Sequence, residues 1–156
     1  MDLLLALAAF AEGSALGRTA RASVWLYPAA NLAHVLGAAL MVGAIATFDV
    51  AVLRRMPAAR TVVRAGMPVA AAGLALLVVS GIVLFSAEAG PLVRNVVFLV
   101  KLGFIALGIL NLGLFHLTFS SALRRGEMPD GARTYAVLSL SAWIATLLLG
   151  RGIAYV

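Results

Sequence analysis

Four long runs of apolar residues, separated by short polar interruptions, take up nearly the whole chain and leave little choice of fold. A hydrocarbon layer about 30 Å thick takes roughly 20 apolar residues per helical crossing, and each run is of that order. Of 156 residues, 63% are hydrophobic and 12% charged, where an ordinary soluble domain is roughly one quarter charged. A soluble core has no use for so much apolar surface. The reading is an all-α, polytopic membrane four-helix bundle forming a single transmembrane domain over 1–156, with spans at about 27–53, 67–85, 93–119 and 135–155.

The segment at 2–22 begins with DLLLALAAFAEG, too short to span and bearing Asp2 and Glu12. Leu3, Leu7 and Phe10 recur at helical spacing, so a short helix lying in the membrane interface or against the bundle is expected. It lacks the basic start and small-residue cleavage site of a signal peptide. Trp25 and Tyr27 announce the first span as interfacial aromatics. Pro28, Pro68 and Pro91 are placed at or just before span starts, where a missing amide donor costs least.

The net charge of +6 is explained by topology rather than by nucleic acid. Arg54, Arg55, Arg60 and Arg64 follow the first span, and Arg124, Arg125 and Arg133 follow the third, whereas the loop SAEAGPLVRN carries only Arg94. Basic loops stay inside, so both termini are expected outside the cytoplasm of a bacterial inner membrane. The lipid bilayer is the first partner, with a redox partner or a second copy of the chain as others. Leu53-Arg54-Arg55-Met56-Pro57 is echoed by Leu123-Arg124-Arg125-Gly126-Glu127-Met128-Pro129, as a duplicated helical hairpin or a chance likeness of basic loops would both give.

Ionisable groups at membrane depth cost roughly 3 kcal/mol each and make a short list of candidates: His34, Asp49, Lys101, His116 and Arg151, joined by the polar Asn31 and Asn111. At 1.5 Å per residue, His34 lies about 10 Å into its span and Lys101 a similar distance into the third. Asn31, His34, Lys101 and Arg151 therefore form an expected outer polar layer, the candidate cofactor site. Asp49 and His116, with Asn111, form a second layer about 22 Å deeper. Metal ligation falls to His34 and His116, since the absence of cysteine removes thiolate and iron–sulfur sites. Their depths differ by roughly 20 Å, too far to share one haem. Gly37, Gly43, Gly103, Gly108 and Gly113 read as close helix contacts, Gly37 alternatively as room for a flat cofactor. Met41 reads as packing before copper.

Trp25-x-Tyr27-Pro28, Asn31-x-x-His34-x-x-Gly37, Asp49, Phe98-x-x-Lys101, Asn111-x-x-x-Phe115-His116, Trp143 and Gly150-Arg151-x-Ile153-Ala154-Tyr155 together resemble a bacterial family of short inner-membrane proteins of unassigned function. More distantly, the layout with a histidine in the first span resembles CopD-type copper-resistance proteins and membrane protoporphyrinogen oxidases. Those likenesses imply metal, haem b or redox work at the His34 and Lys101 level. The lack of a Met- and His-rich outer segment counts against copper transfer. The expected function is haem- or metal-associated electron transfer. The alternatives are a small-ion or proton transporter and a non-catalytic accessory subunit. No nucleophile–base pair, phosphate loop or paired carboxylates mark an enzyme; Ser80-Gly81 and Ser139 to Ser141 read as helix-packing residues.

Overall fold

The computed structural model describes residues 2–57, 59–125, 129 and 131–155. They form six helices: α1 (Asp2–Gly13), α2 (Ala15–Ala22), α3 (Leu26–Leu53), α4 (Ala59–Arg94), α5 (Val96–Arg125) and α6 (Ala132–Gly152), followed by a 3-10 turn at Ile153–Tyr155. Helices α3 to α6 are long and apolar enough to cross a membrane, so the chain is an all-α bundle with the make-up of a multi-pass membrane protein. Leu26, Asn95 and Gly152 lie at one end of the bundle, the outer end in the orientation expected from the arginines.

Helix α3 is bounded by local chemistry. Pro28 is its third residue, within the first turn, where no amide donor is needed. At its far end Arg55 adopts φ 53°, the left-handed conformation, while the Met56 and Arg55 amides donate to the Ala51 and Val52 carbonyls at 2.9 and 3.0 Å. This is a Schellman closure with arginine where glycine is usual, and Pro57 prevents the helix from resuming.

Helix α4 departs from expectation. The segment 86–95 is not a loop: the chain stays helical to Arg94, broken only by non-helical dihedrals at Glu88. Pro68 and Pro91 accordingly lie inside the helix rather than at span starts. Asn95 alone separates α4 from α5, and its side-chain oxygen accepts from the Phe98 amide at 3.1 Å as an N-cap. Of the segment Leu123–Pro129 that echoes Leu53–Pro57, residues 126–128 lie outside the described residues.

Packing follows the order α4–α3–α6–α5. The hairpins α3–α4 and α5–α6 are joined by α3 against α6, whereas α4 and α5 meet only sparsely, chiefly where the Phe85 and Phe98 rings stack at 6.2 Å. The most apolar stretch of α5 is 6% buried, against 33% in α3 and in α6, which makes α5 the outlying helix. Helices α3 and α4 cross at Gly37 and Gly73: a Cβ on Gly37 would sit 2.8 Å from the Gly73 carbonyl oxygen. The interface of α3 with α6 holds two apolar clusters. Val52 and Ala136 pack with Phe115 in one. Met41 and Val42 pack with Trp143 in the other, so Met41 is a core residue.

Helices α1 and α2 are bent by 62° relative to each other and lie on the outer part of α4. Ser14 caps α2 by accepting from the Gly17 amide at 3.0 Å. A Cβ on Gly17 would lie 2.5 Å from the Ser86 carbonyl oxygen, so only glycine lets this helix approach α4 so closely.

Candidate functional site

Of the four residues expected in the outer layer, His34 and Lys101 are each partly buried against a neighbouring helix. His34 projects from α3 onto α4, where its Nδ1 lies 3.0 Å from the Ser80 hydroxyl. The Ser80 hydroxyl donates its single proton to the Leu76 carbonyl at 2.6 Å. It can therefore only accept from the imidazole, so Nδ1 carries the proton. Nδ1 thus serves as donor, and Nε2 is left with a lone pair and no partner among the described residues. The ring edge is seated over Gly81, where a Cβ would come 3.3 Å from His34 Cε1.

Lys101, half-buried on α5, is the charged group whose field acts on His34. Its ammonium lies alongside Gly150 of α6, 3.5 Å from where a Cβ would stand. It has no hydrogen bond or ion pair among the described residues. Helices α3 and α5 do not pack broadly on each other, so His34 is seated on α4 and Lys101 on α6, in different helix pairs.

The other two expected members stand apart. Arg151 is exposed and bonded to the Tyr155 hydroxyl at 2.9 Å, with its guanidinium 5.1 Å from that ring's centre. It anchors the end of its own helix. Asn31 is exposed on α3 and has no hydrogen-bond partner among the described residues. Gly37 is closed by the crossing with Gly73 and leaves no room for a planar group. Gly108 seats Trp143, while a Cβ on Gly43, Gly103 or Gly113 would meet nothing within 4 Å among the described residues, so these three are not close helix crossings.

The deeper layer does not assemble as one. Asp49 is 3% exposed between α3 and α6 and is bonded to the Ser139 hydroxyl, with Oδ2 left without a partner. His116 is exposed on α5, its Nδ1 donating to the Leu112 carbonyl at 3.0 Å. Asn111 donates to the Tyr135 carbonyl at 3.1 Å, tying α5 to α6. His116 is thus paired neither with Asp49 nor with His34, and no group of three His, Cys, Asp or Glu among the described residues is arranged to hold a bare metal ion.

A polar cluster that hydropathy does not reveal lies at the break in α4. The Gly90 amide, which a straight helix would send to the Ser86 carbonyl, donates to Glu12 Oε1 at 2.7 Å. Pro91 has no amide for the Ala87 carbonyl. Arg21 supplies the missing donors, reaching the Ala87 and Ser86 carbonyls at 3.1 and 3.4 Å and the Glu12 carbonyl at 2.7 Å. Tyr27 donates to Glu88 Oε2 at 3.2 Å. Beside it, Glu88, Pro91, Arg94, Asn95 and Ile153 line an open hollow of about 650 Å³. The available signal was Glu88-x-Gly90-Pro91, a helix-breaking run inside an otherwise helix-favouring stretch. Comparisons with protein-family models, curated proteins and solved structures find no match for this chain.

Proposed function

We propose that this multi-pass membrane protein holds an anionic, membrane-soluble redox cofactor in its outer half, haem b being the group whose demands match His34 and Lys101. The observation that carries the reading is the bonding of His34: with Nδ1–H donated to the Ser80 hydroxyl, the ring is oriented and Nε2 has no hydrogen bond among the described residues. Histidine ligands are commonly held in this way through their second nitrogen. A porphyrin brings its own ring of nitrogens and asks of the protein an axial donor and cations for its propionates. His34 meets the first demand and Lys101, a cation without an anionic partner among the described residues, meets the second. Bound haem would supply one-electron chemistry. The donor set does not fit bare copper, given the lack of a ligand trio among the described residues and the packing role of Met41. The arginines flanking the ends of α3 and α5 support an inner-membrane location with both termini outside.

The test is the visible spectrum of the detergent-purified protein, oxidised and then dithionite-reduced, after expression with ample haem. A Soret band with reduced α and β bands is expected, lost in His34→Ala and weakened in Lys101→Met. A featureless spectrum of the intact protein, or haem retained unchanged by His34→Ala, overturns the reading.

A further inference from the structure

We infer that Asp49 is a reversible proton-binding site one helical turn inside the arginine-bearing end of the bundle. Asp49 is 3% exposed, and Oδ2 is the one buried side-chain atom without a hydrogen-bond partner among the described residues. Its position is built: on α3 and α6 it stands between the Val52–Ala136–Phe115 and Met41–Val42–Trp143 clusters. Ser139, itself 8% exposed, is its hydroxyl donor. A carboxylate so enclosed needs something positive at Oδ2, because an isolated buried charge costs several kcal/mol.

The neighbourhood holds few candidates. On α6, Ser139 already gives its proton to Asp49, and Tyr135 lies in the aromatic cluster with Phe115 and Phe119. On α5, His116 is exposed and bound to its own backbone, and the Asn111 amide is spent on Tyr135. Arg54 and Arg55 lie beyond the end of α3, and Arg64 is on α4; all three side chains are exposed. Arg133, near the start of α6, is exposed as well, and the side chains of Arg60, Arg124 and Arg125 lie outside the described residues. A metal cation is poorly served: one carboxylate and one hydroxyl are far short of the six or so oxygens such ions gather, and no acidic or histidine cluster surrounds the position. What fits at Oδ2 is a proton, making Asp49 a carboxylic acid that loses it to the solvent beyond Leu53, about 6 Å away along α3.

This site is independent of His34. Along α3 no polar route joins the two, since the stretch between them, Val35 to Phe48, is apolar apart from Thr47, whose hydroxyl bonds the Gly43 carbonyl.

The deciding experiment is infrared spectroscopy of the full-length protein in lipid, with aspartate carbon-13 labelling. The expected result is a carboxylic-acid carbonyl band at neutral pH that is absent in Asp49→Asn and disappears as the buffer is made alkaline. No such band at neutral pH overturns the inference, and so does a band that persists unchanged at every pH until the protein unfolds. Should Asp49→Asn not fold, the wild-type protein is treated with the apolar reagent dicyclohexylcarbodiimide, which adds to protonated carboxyls, and mapped by mass spectrometry. An adduct on Asp49 that falls by about tenfold or more in alkaline buffer supports the site. No adduct on Asp49, or one indifferent to pH, overturns it.

Discussion

Replacing Glu12 by alanine should loosen residues 2–22 from the bundle without disturbing the four long helices. The Gly90 amide would lose a carboxylate acceptor at 2.7 Å, a charge-assisted bond of the kind worth about 1.5–3 kcal/mol. Gly90 is only half-buried, so water partly replaces the carboxylate and the lower part of that range applies. About 2 kcal/mol corresponds to a roughly 30-fold rise in the population in which α1 and α2 are undocked. Glu12→Gln keeps an acceptor oxygen and should recover at least half of the loss.

Arg21→Ala acts on the same unit from the other side. It strips the donors from the Ser86 and Ala87 carbonyls, both on buried residues, and Pro91 guarantees that Ala87 has no replacement within its helix. Its cost should equal or exceed that of Glu12→Ala, and the double variant should cost less than the sum, because the first break already releases the docked pair. Hydrogen–deuterium exchange in lipid nanodiscs reads this directly as faster exchange over 2–22 and at Gly90. Unchanged exchange in both single variants would refute the account of the helix break. Equal damage from glutamine and alanine at position 12 would show that the acceptor is not what holds the segment.

Three further outcomes follow from local geometry. Gly37→Val should separate α3 from α4, since even a Cβ meets the Gly73 carbonyl oxygen at 2.8 Å; overpacking of this kind costs about 1–3 kcal/mol, visible as a lower unfolding midpoint in detergent, and an unchanged midpoint would contradict the crossing. Ser80→Ala should remove the hydroxyl that holds His34 Nδ1, and nitrogen-15 NMR of the histidines should show the Nδ1–H tautomer losing population at His34 but not at His116. Ser14→Ala should cost about 1 kcal/mol through loss of the α2 cap and be detected as faster exchange confined to 15–22.

Much of the fold was legible because length and apolarity alone decide whether a helix can cross a bilayer. The ends of α3 were legible too, since Trp25, Tyr27, Arg54, Arg55 and Pro57 are local signals. The continuation of α4 through 86–94 was not. Ser86-Ala87-Glu88-Ala89-Gly90-Pro91 looks like a loop in any hydropathy scan, yet alanine and glutamate favour helix and the break is repaired by residues about 65 and 78 positions away. Nothing local to 86–91 announces that Glu12 and Arg21 will be its partners.

The same distinction governs the polar residues. Depth is readable, because each residue advances 1.5 Å along the axis, and it puts His34 and Lys101 at a similar level of their spans. Rotation is not readable in spans that are apolar on every side, because no stripe tells which face meets a neighbour. Asn31 and His116 have depths that suit their proposed layers but face outward, whereas Asp49, on a helix equally apolar all round, turns inward onto Ser139. The facing is set by where backbones can approach, and here that means the crossing of Gly37 with Gly73. His34, three residues before Gly37, must fall near the contact with α4, and Ser80, seven residues after Gly73, comes level with it where the helices run antiparallel. The small-residue crossing is therefore what turns His34 from a costly polar group facing lipid into an oriented imidazole with a free Nε2. Any substitution that opens the crossing should abolish that orientation even though it touches neither His34 nor Ser80.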